Sequence, residues 1–353
     1  MISVVINLID GLCCSLIPIV FSHISYQQTG VRFKKRQDRL QEFCNSENST
    51  HDRNTISKVV QITKGPLTFC RIHKVASTYL IFVVLSQIHS WMLKTPHLNE
   101  AYTDPPKQVV FVRNPYGRLI SGYLSRVLLR PSFWPRVGHN VMKMSGSLGP
   151  TSKWTDKCAV HATFPEFIRY FIQSDLSGQG RDGHFIPLHD QCGMCSQHYD
   201  YIGHVETIDE DLSYILKSVS IDLEIHNENL WEGELDFILH RDQKFIKACS
   251  LSNYTMLRTL WYSYHVTGFV SDDISFPLTE AECRDITVRQ FVELVNSIRE
   301  KSGAYSPREQ RRKWLMNLYQ QVPIQERLQL KSLLDKDFGM FDFDPQPKEV
   351  FPV

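Results

Sequence analysis

The stretch QVVFVRNPYGRLISGYLSRVL, residues 108–128, decides how this chain is built. Gln108 to Arg113 is a short apolar run, the pattern of a buried strand. It is entered through Pro105-Pro106 and stops at Asn114-Pro115. Asparagine accepts hydrogen bonds from the free N–H groups of a first helical turn. Proline at the first helical position loses only an N–H that has no helical partner. A helix is therefore expected to start at this dipeptide. Its apolar side carries Leu119, Ile120, Tyr123, Leu124, Val127 and Leu128, while Gly117, Ser121 and Ser125 recur every four residues. Such a small-residue stripe lets another group approach closely. Arg113 thus ends a strand beside a capped helix that carries a serine. A planar guanidinium with a hydroxyl makes a cradle for a phosphate. An arginine paired with a core carboxylate is the competing reading.

Upstream, Leu67 to Ile72 reads as a second short strand, followed by a turn at His73-Lys74-Val75. Ser77 to Leu93 is too long for a strand and reads as a mostly buried helix. A lysine in the turn, with Ser77 and Thr78 at the helix start, describes an anion site. The helix end supplies free N–H groups and a positive dipole end, and the lysine supplies a mobile charge. A capped helix with a solvated lysine is the plainer alternative. The glycine-rich G-x-x-x-x-G-K-[ST] loop is absent, so Mg²⁺-nucleotide binding is not implied.

Two strand–loop–helix units in succession predict an α/β fold: a P-loop-NTPase-like parallel sheet flanked by helices, with helix-rich additions. The additions show helical spacing at Phe164 to Gln173, Asp209 to Val219, Val288 to Glu300 and Ile324 to Leu334. Trp231 to Thr267 is aromatic and irregular, and its pattern assigns no element.

The chain has 353 residues, 42% of them hydrophobic, and a formal net charge of +1. That supports a sizeable core and argues against a dedicated nucleic-acid coat, while a local basic patch remains compatible with it. Residues 1–21 are nearly all apolar and suit a signal-anchor or signal peptide. No Lys or Arg precedes that run, whereas Arg32, Lys34, Lys35, Arg36 and Arg39 follow it, a charge order that the positive-inside rule associates with a cytosolic C-terminal side. Residues 22–60 are polar and read as a stem, 61–344 as the globular domain, and 345–353, with three prolines, as a tail. Seven of the nine cysteines lie beyond the apolar start: Cys44, Cys70, Cys158, Cys192, Cys195, Cys249 and Cys283. Two or three disulfides in an oxidising lumen, or a set of buried thiols, both fit that count. Sequons at Asn48 and Asn253 add weak support for a lumen.

The two loop segments together resemble the donor-binding elements of the Golgi carbohydrate sulfotransferases. The similarity is greatest to the chondroitin 4-O-sulfotransferases and the glucuronyl sulfotransferase of the natural-killer epitope. The first family element reads like P-K-V-x-x-T-N. Here it is His73-Lys74-Val75-Ala76-Ser77-Thr78-Tyr79, with His73 for Pro and Tyr79 for Asn. The second reads like V-R-[DHN]-P-[FY]-x-R-L-[VI]-S-[AG]-Y and is matched by Val112 to Tyr123 at nearly every position. Further similarities lie at Phe164 to Phe167, Tyr199 to Glu206 and Asp337 to Phe343.

The resemblance implies a transferase that uses 3′-phosphoadenosine 5′-phosphosulfate (PAPS) to sulfate a glycan hydroxyl without a metal. Arg71, Lys74, Val75, Ala76, Ser77 and Thr78 would contact the 5′-phosphosulfate side, and Arg113 and Ser121 the 3′-phosphate. Lys74 would meet the charge on the leaving oxygen. His184, in a segment similar to the family's H-W-x-P, is the first candidate general base, and Glu206 the second. His73 abuts the same turn and reads as loop structure. Cys192 and Cys195 resemble a family cysteine pair expected to be disulfide-bonded; with His189 and His198 they also admit a zinc reading.

The acceptor implied is chondroitin or a related glucuronate-containing chain. Arg126, Arg130, Arg136, Lys153, Lys157 and the Arg308 to Lys313 cluster could line a groove for it, or form a solvated basic face. The implied setting is the Golgi membrane, single-pass type II, with the N-terminal segment as anchor. A catalytically inactive glycan-binding homologue, for which His73 and Tyr79 leave room, and a P-loop nucleotide kinase, for which the loop and Mg²⁺ ligands are missing, are the competing functions.

Overall fold

The computed structural model describes residues 3–6, 14–18, 26–46, 60–94, 105–223, 225 and 235–352. Two short strands, β1 (Ser3–Ile6) and β2 (Cys14–Pro18), pair antiparallel. The domain is centred on four strands in spatial order: β3 (Gln61–Lys64), β4 (Leu67–Cys70), β5 (Lys107–Val112) and β6 (Tyr201–His204). β3 and β4 form an antiparallel hairpin; β4, β5 and β6 run parallel, with Phe69 opposite Val109 and Val110 opposite Ile202. This is the expected α/β arrangement. Every residue of β4 is buried, as are Val109 to Val112 of β5, which explains their unbroken apolar runs.

Two apolar cores meet at the end of β5. One packs the sheet against Val83, Val84 and Ile88 on one segment and Leu212 and Ile215 on another. The other is helical and gathers Leu124, Trp134, Phe167, Trp261, Phe291 and Tyr319. Val112 belongs to the first and Tyr116 to the second, so Arg113 and Asn114 sit at their junction.

The helix expected at Asn114-Pro115 is present over Pro115–Gly122. The Asn114 side chain accepts from the N–H groups of Tyr116 (3.0 Å) and Gly117 (3.4 Å). It continues without a break as wider π-type turns over Tyr123–Leu128. The helix expected over residues 77–93 likewise opens with a π-type segment, Tyr79–Val84, before Leu85–Lys94. The unassigned aromatic stretch holds a turn at Phe237–Arg241 and helices over Gln243–Ala248 and Asn253–Thr267. The sequon residue Asn253 starts the last of these, and its side chain accepts from Gln243 at 2.8 Å; Asn48 lies outside the described residues.

Two expectations need correcting. Tyr26–Ser46, inside the segment read as a stem, is a helix bound to the domain. It buries Thr29, Phe33 and Leu40. Arg32 and Arg36 reach the fully buried Asp211 at 2.8 and 2.7 Å. The pattern was hidden by polar residues that face partners on the domain rather than water. The proposed tail also packs: Val350 is fully buried and Tyr116 donates its hydroxyl hydrogen to the Pro345 carbonyl at 2.8 Å.

Cys192 and Cys195 are disulfide-bonded as expected, though not to each other: the bridges are Cys44–Cys195, Cys70–Cys192 and Cys158–Cys249. Cys283 is a buried thiol. Neither member of the Cys-x-x-Cys pair is a thiolate for zinc, because each is spent on a distant partner.

The described parts of residues 1–21 are the two strands β1 and β2, not a helix; the rest of that candidate anchor lies outside the described residues. Among the described residues no helix is long and apolar enough to cross a membrane.

Candidate active site

The loop after β4 is held in an uncommon shape. Lys74 and Ala76, on either side of Val75, have φ of 69° and 59°. L-residues pay about 1–2 kcal/mol each for the left-handed region, so the surroundings must impose it. Backbone turns of this kind point successive N–H groups toward one concave side, where an anion is bound. Val75, Ala76 and Ser77 are buried, and Thr78 is half-buried at the helix start.

The helix from Pro115 supplies what holds that loop. Arg118 donates to the His73 carbonyl at 3.0 Å and to the Ile186 carbonyl at 2.7 Å. Burial lowers its pKa to about 10, which leaves it charged at neutral pH. Arg113, at the end of β5, donates to the Lys74 carbonyl at 3.5 Å. Lys74 itself is fully buried and donates from Nζ to Ser125 Oγ. The two segments singled out in the sequence therefore share one site.

Two features there suit a phosphate. The Ser121 hydroxyl is fully buried and has no hydrogen-bond partner among the described residues, an expensive state unless a ligand meets it. Gly117 keeps space beside the guanidinium: a Cβ added there would lie 3.3 Å from Arg113 Nη2. The loop at Lys74 supplies a second anion-binding feature at the same junction.

His184 closes the site from a third segment. Its ring lies 4.1 Å, centroid to centroid, from that of His73, and Phe133 meets it edge-on at 5.6 Å. Asp182 Oδ1 accepts from the His184 backbone N–H at 3.0 Å and lies 2.5 Å from Nδ1. Arg136 donates to the other Asp182 oxygen at 2.9 Å. Burial pulls the His184 pKa down to about 4; the cations of Arg126 and Lys74 push the same way and the bond to Asp182 opposes them. Burial alone would raise the Asp182 carboxyl, but its hydrogen bonds from His184 outweigh that and lower it to about 2.

More than half of the chain, residues 57–253 of 353, matches the family model described as the sulfotransferase family. The chain belongs to that family. It is 30% identical to carbohydrate sulfotransferase 14 of Mus musculus over 111 residues, 31% of this chain and 28% of the relative. Against carbohydrate sulfotransferase 9 of Homo sapiens it is 25% identical over 230 residues, 58% and 51% of the two chains. Against carbohydrate sulfotransferase 11 of Rattus norvegicus it is 26% identical over 230 residues, 56% and 64%. These alignments thus span less than two thirds of each relative's own length. No solved structure matches.

Within this chain, the predicted residues are brought together unequally. Lys74, Val75, Ala76, Ser77, Thr78, Arg113 and Ser121 surround one junction, with His184 beside Lys74. Arg71 is exposed, and its backbone N–H donates to the Val60 carbonyl at 2.8 Å, extending the hairpin. Glu206 lies in the turn Val205–Thr207 after β6, and its carboxylate accepts from the N–H of the cap residue Asn114 at 2.8 Å, a supporting position next to Arg113.

Of the basic residues proposed for the acceptor, Arg126 stacks over Phe133 at 4.7 Å and Arg130 over Phe237 at 3.5 Å; Arg136 binds Asp182. Lys157 pairs with Glu166, Arg312 with Glu349 and Lys313 with Asp272. Sequence reasoning missed Asp182, although its i, i+2 spacing from His184 was visible, and it gave Arg118 and Ser125 no separate role.

Proposed function

We propose that this sulfotransferase moves the sulfuryl group of PAPS to a hydroxyl of an acidic glycan, with chondroitin or a related glucuronate-containing chain as acceptor. The observation that carries this reading is the junction itself: the Lys74 turn and the Arg113–Ser121 helix enclose one place, with a buried partnerless hydroxyl and a glycine-cleared guanidinium. Arg113 and Ser121 take the 3′-phosphate, and backbone N–H groups with Ser77 and Thr78 take the 5′-phosphate.

In the reaction the acceptor oxygen forms a bond to sulfur as the bond from sulfur to the bridging phosphate oxygen breaks. The Lys74 ammonium meets the charge left on that oxygen. His184, neutral at working pH, takes the acceptor's hydroxyl proton. Adenosine 3′,5′-bisphosphate (PAP) and the sulfated glycan leave. Arg126 and Arg136 lie on the base side, where an anionic acceptor gains most from them. Three disulfides support a setting in an oxidising lumen, for which we propose the Golgi. The names of the relatives, all carbohydrate sulfotransferases, support the glycan class.

The test is incubation of the purified chain with ³⁵S-labelled PAPS and a panel of chondroitin, dermatan, heparosan and neutral glycans, followed by disaccharide analysis. Label on a glucuronate-containing chain supports the reading. Label only on neutral glycans removes the acceptor class, and no transfer to any glycan removes the activity.

A further inference from the structure

We propose that Asp182, braced by Arg136, is a positioning residue that fixes His184 in the tautomer protonated at Nδ1 and so reserves Nε2 for the acceptor's proton. This rests on the base role given to His184 above.

The carboxylate is nearly enclosed, with 5% of its side chain exposed, and both oxygens are committed. Oδ1 takes two contacts from the same residue, the backbone N–H and ring Nδ1 of His184, at 3.0 and 2.5 Å. A ring held at both its backbone and its Nδ1 has little freedom to turn. Oδ2 takes Arg136 Nη2 at 2.9 Å. The Asp182 backbone carbonyl also accepts from Phe185 at 2.9 Å and Ile186 at 3.2 Å, so carboxylate and ring ride on one tight turn.

A carboxylate accepts and does not donate, so Nδ1 must carry the hydrogen. Nε2 is then the lone-pair nitrogen. The same logic orients histidine in hydrolase triads, where an amide in place of the carboxylate leaves geometry intact and presents the wrong tautomer. The groups facing the ring from all sides are Lys74 and His73 on the donor loop, Arg126 on the long helix and Asp182 on its own turn. Only Asp182 among them is anionic. It therefore also stabilises the imidazolium that forms when the proton arrives, against the repulsion of Lys74 and Arg126.

Four proteins decide the matter: wild type, Asp182→Asn, Asp182→Glu and His184→Ala. Each is measured for kcat/KM against pH with PAPS and the best acceptor, for PAP affinity by calorimetry, and for thermal stability. We expect Asp182→Asn to lose about 10²-fold or more in kcat, to bind PAP within about twofold of wild type, and to shift its acid limb to lower pH, since the group that raised the His184 pKa is gone. Asp182→Glu should recover part of the rate. The proposal is overturned if Asp182→Asn keeps kcat within about threefold of wild type, or if its loss tracks an equal loss of PAP affinity and stability. Activity in His184→Ala would overturn the base assignment itself. An inactive His184→Ala beside a fully active Asp182→Asn would remove only the positioning role.

Discussion

The Arg113 guanidinium donates to the backbone carbonyl of Lys74 at 3.5 Å, joining two residues 39 apart in the chain. This contact puts the strongest cationic fork of the second motif against the loop of the first. It makes the proposed donor site a property of the β4–β5 pair and the helix behind it, and the predictions below follow from that geometry.

Replacing Lys74 by Met should abolish transfer while the protein stays folded. Methionine fills much of the volume of the fully buried side chain but carries no charge to the leaving oxygen. Losing such a preorganised electrostatic group typically costs about 10²–10³ in kcat. Initial rates with labelled PAPS, together with circular dichroism, check this; a variant that turns over at the wild-type rate removes Lys74 from the chemistry.

Ser121→Ala should weaken PAP binding about 3- to 10-fold, the worth of one hydrogen bond to the ligand, and should leave the unliganded protein as stable as wild type or more so. The second half distinguishes the two roles, because a hydroxyl with no partner among the described residues loses nothing when it is removed. Gly117→Val should weaken PAP more than Ser121→Ala by crowding Arg113. Calorimetric titration and urea unfolding on the same preparations read both effects.

The contribution of His184 and His204 to stability should fall as pH drops from about 6.5 toward 4, while the buried Asp209 carboxyl, raised to about 6, contributes in the opposite sense. His184, held down to about 4, and His204, held well below its usual range by burial and by Arg36 and Arg32, are neutral when folded. Unfolded, both bind protons near pH 6.5. At these two sites the unfolded chain holds more protons in that window, so their contribution to stability rises with pH. His189 acts in the opposite sense: burial lowers its pKa, but Asp337 at 2.7 Å outweighs that and raises it, so its contribution is lost as pH climbs above 6.5. Urea midpoints at pH 4.5, 5.5 and 6.5 should converge for His204→Gln relative to wild type. A difference that does not change with pH would contradict this.

The disulfides should separate by function. Cys70 ends β4 just before the Lys74 turn, and its partner Cys192 follows the His184 turn, so this bridge ties donor loop to base. Cys44–Cys195 ties the helix over Tyr26–Ser46 to the same neighbourhood from outside. Loss of either removes a long loop closure, typically about 2–5 kcal/mol. Only the Cys70→Ser, Cys192→Ser double variant should also weaken PAP binding at a temperature where both variants remain folded.

The parts of this architecture that were legible in the sequence are those that local chemistry dictates. Asn114-Pro115 announces a helix start because cap and first-turn requirements are satisfied by those two residues alone. The buried runs at β4 and β5 read as strands because both faces are covered. The helix over Asn253–Thr267 escaped notice because only Arg258 on it is exposed: Met256, Leu260 and Tyr264 are buried on one side, and Tyr254, Tyr262 and His265 on the other are half-buried, which erases the amphipathic period. Its caps, Ser252 and Gly268 (φ 66°), were the remaining signal. The helix over Tyr26–Ser46 looked like a polar linker because Arg32 and Arg36 are stabilised by Asp211, 175 or more residues away, and no local pattern encodes so remote a partner. Asp182 escaped for a related reason: an aspartate beside a glycine reads as a turn until the ring it holds is seen.

The most direct test of the shared donor site is calorimetric binding of PAP and of AMP, which lacks the 3′-phosphate, to wild type, Lys74→Met and Arg113→Met. The account predicts one PAP per chain, weaker PAP binding in both variants, and a loss in Arg113→Met that disappears when AMP replaces PAP while the loss in Lys74→Met persists. Unchanged PAP affinity in either variant, or an Arg113→Met defect equally large with AMP, would contradict it.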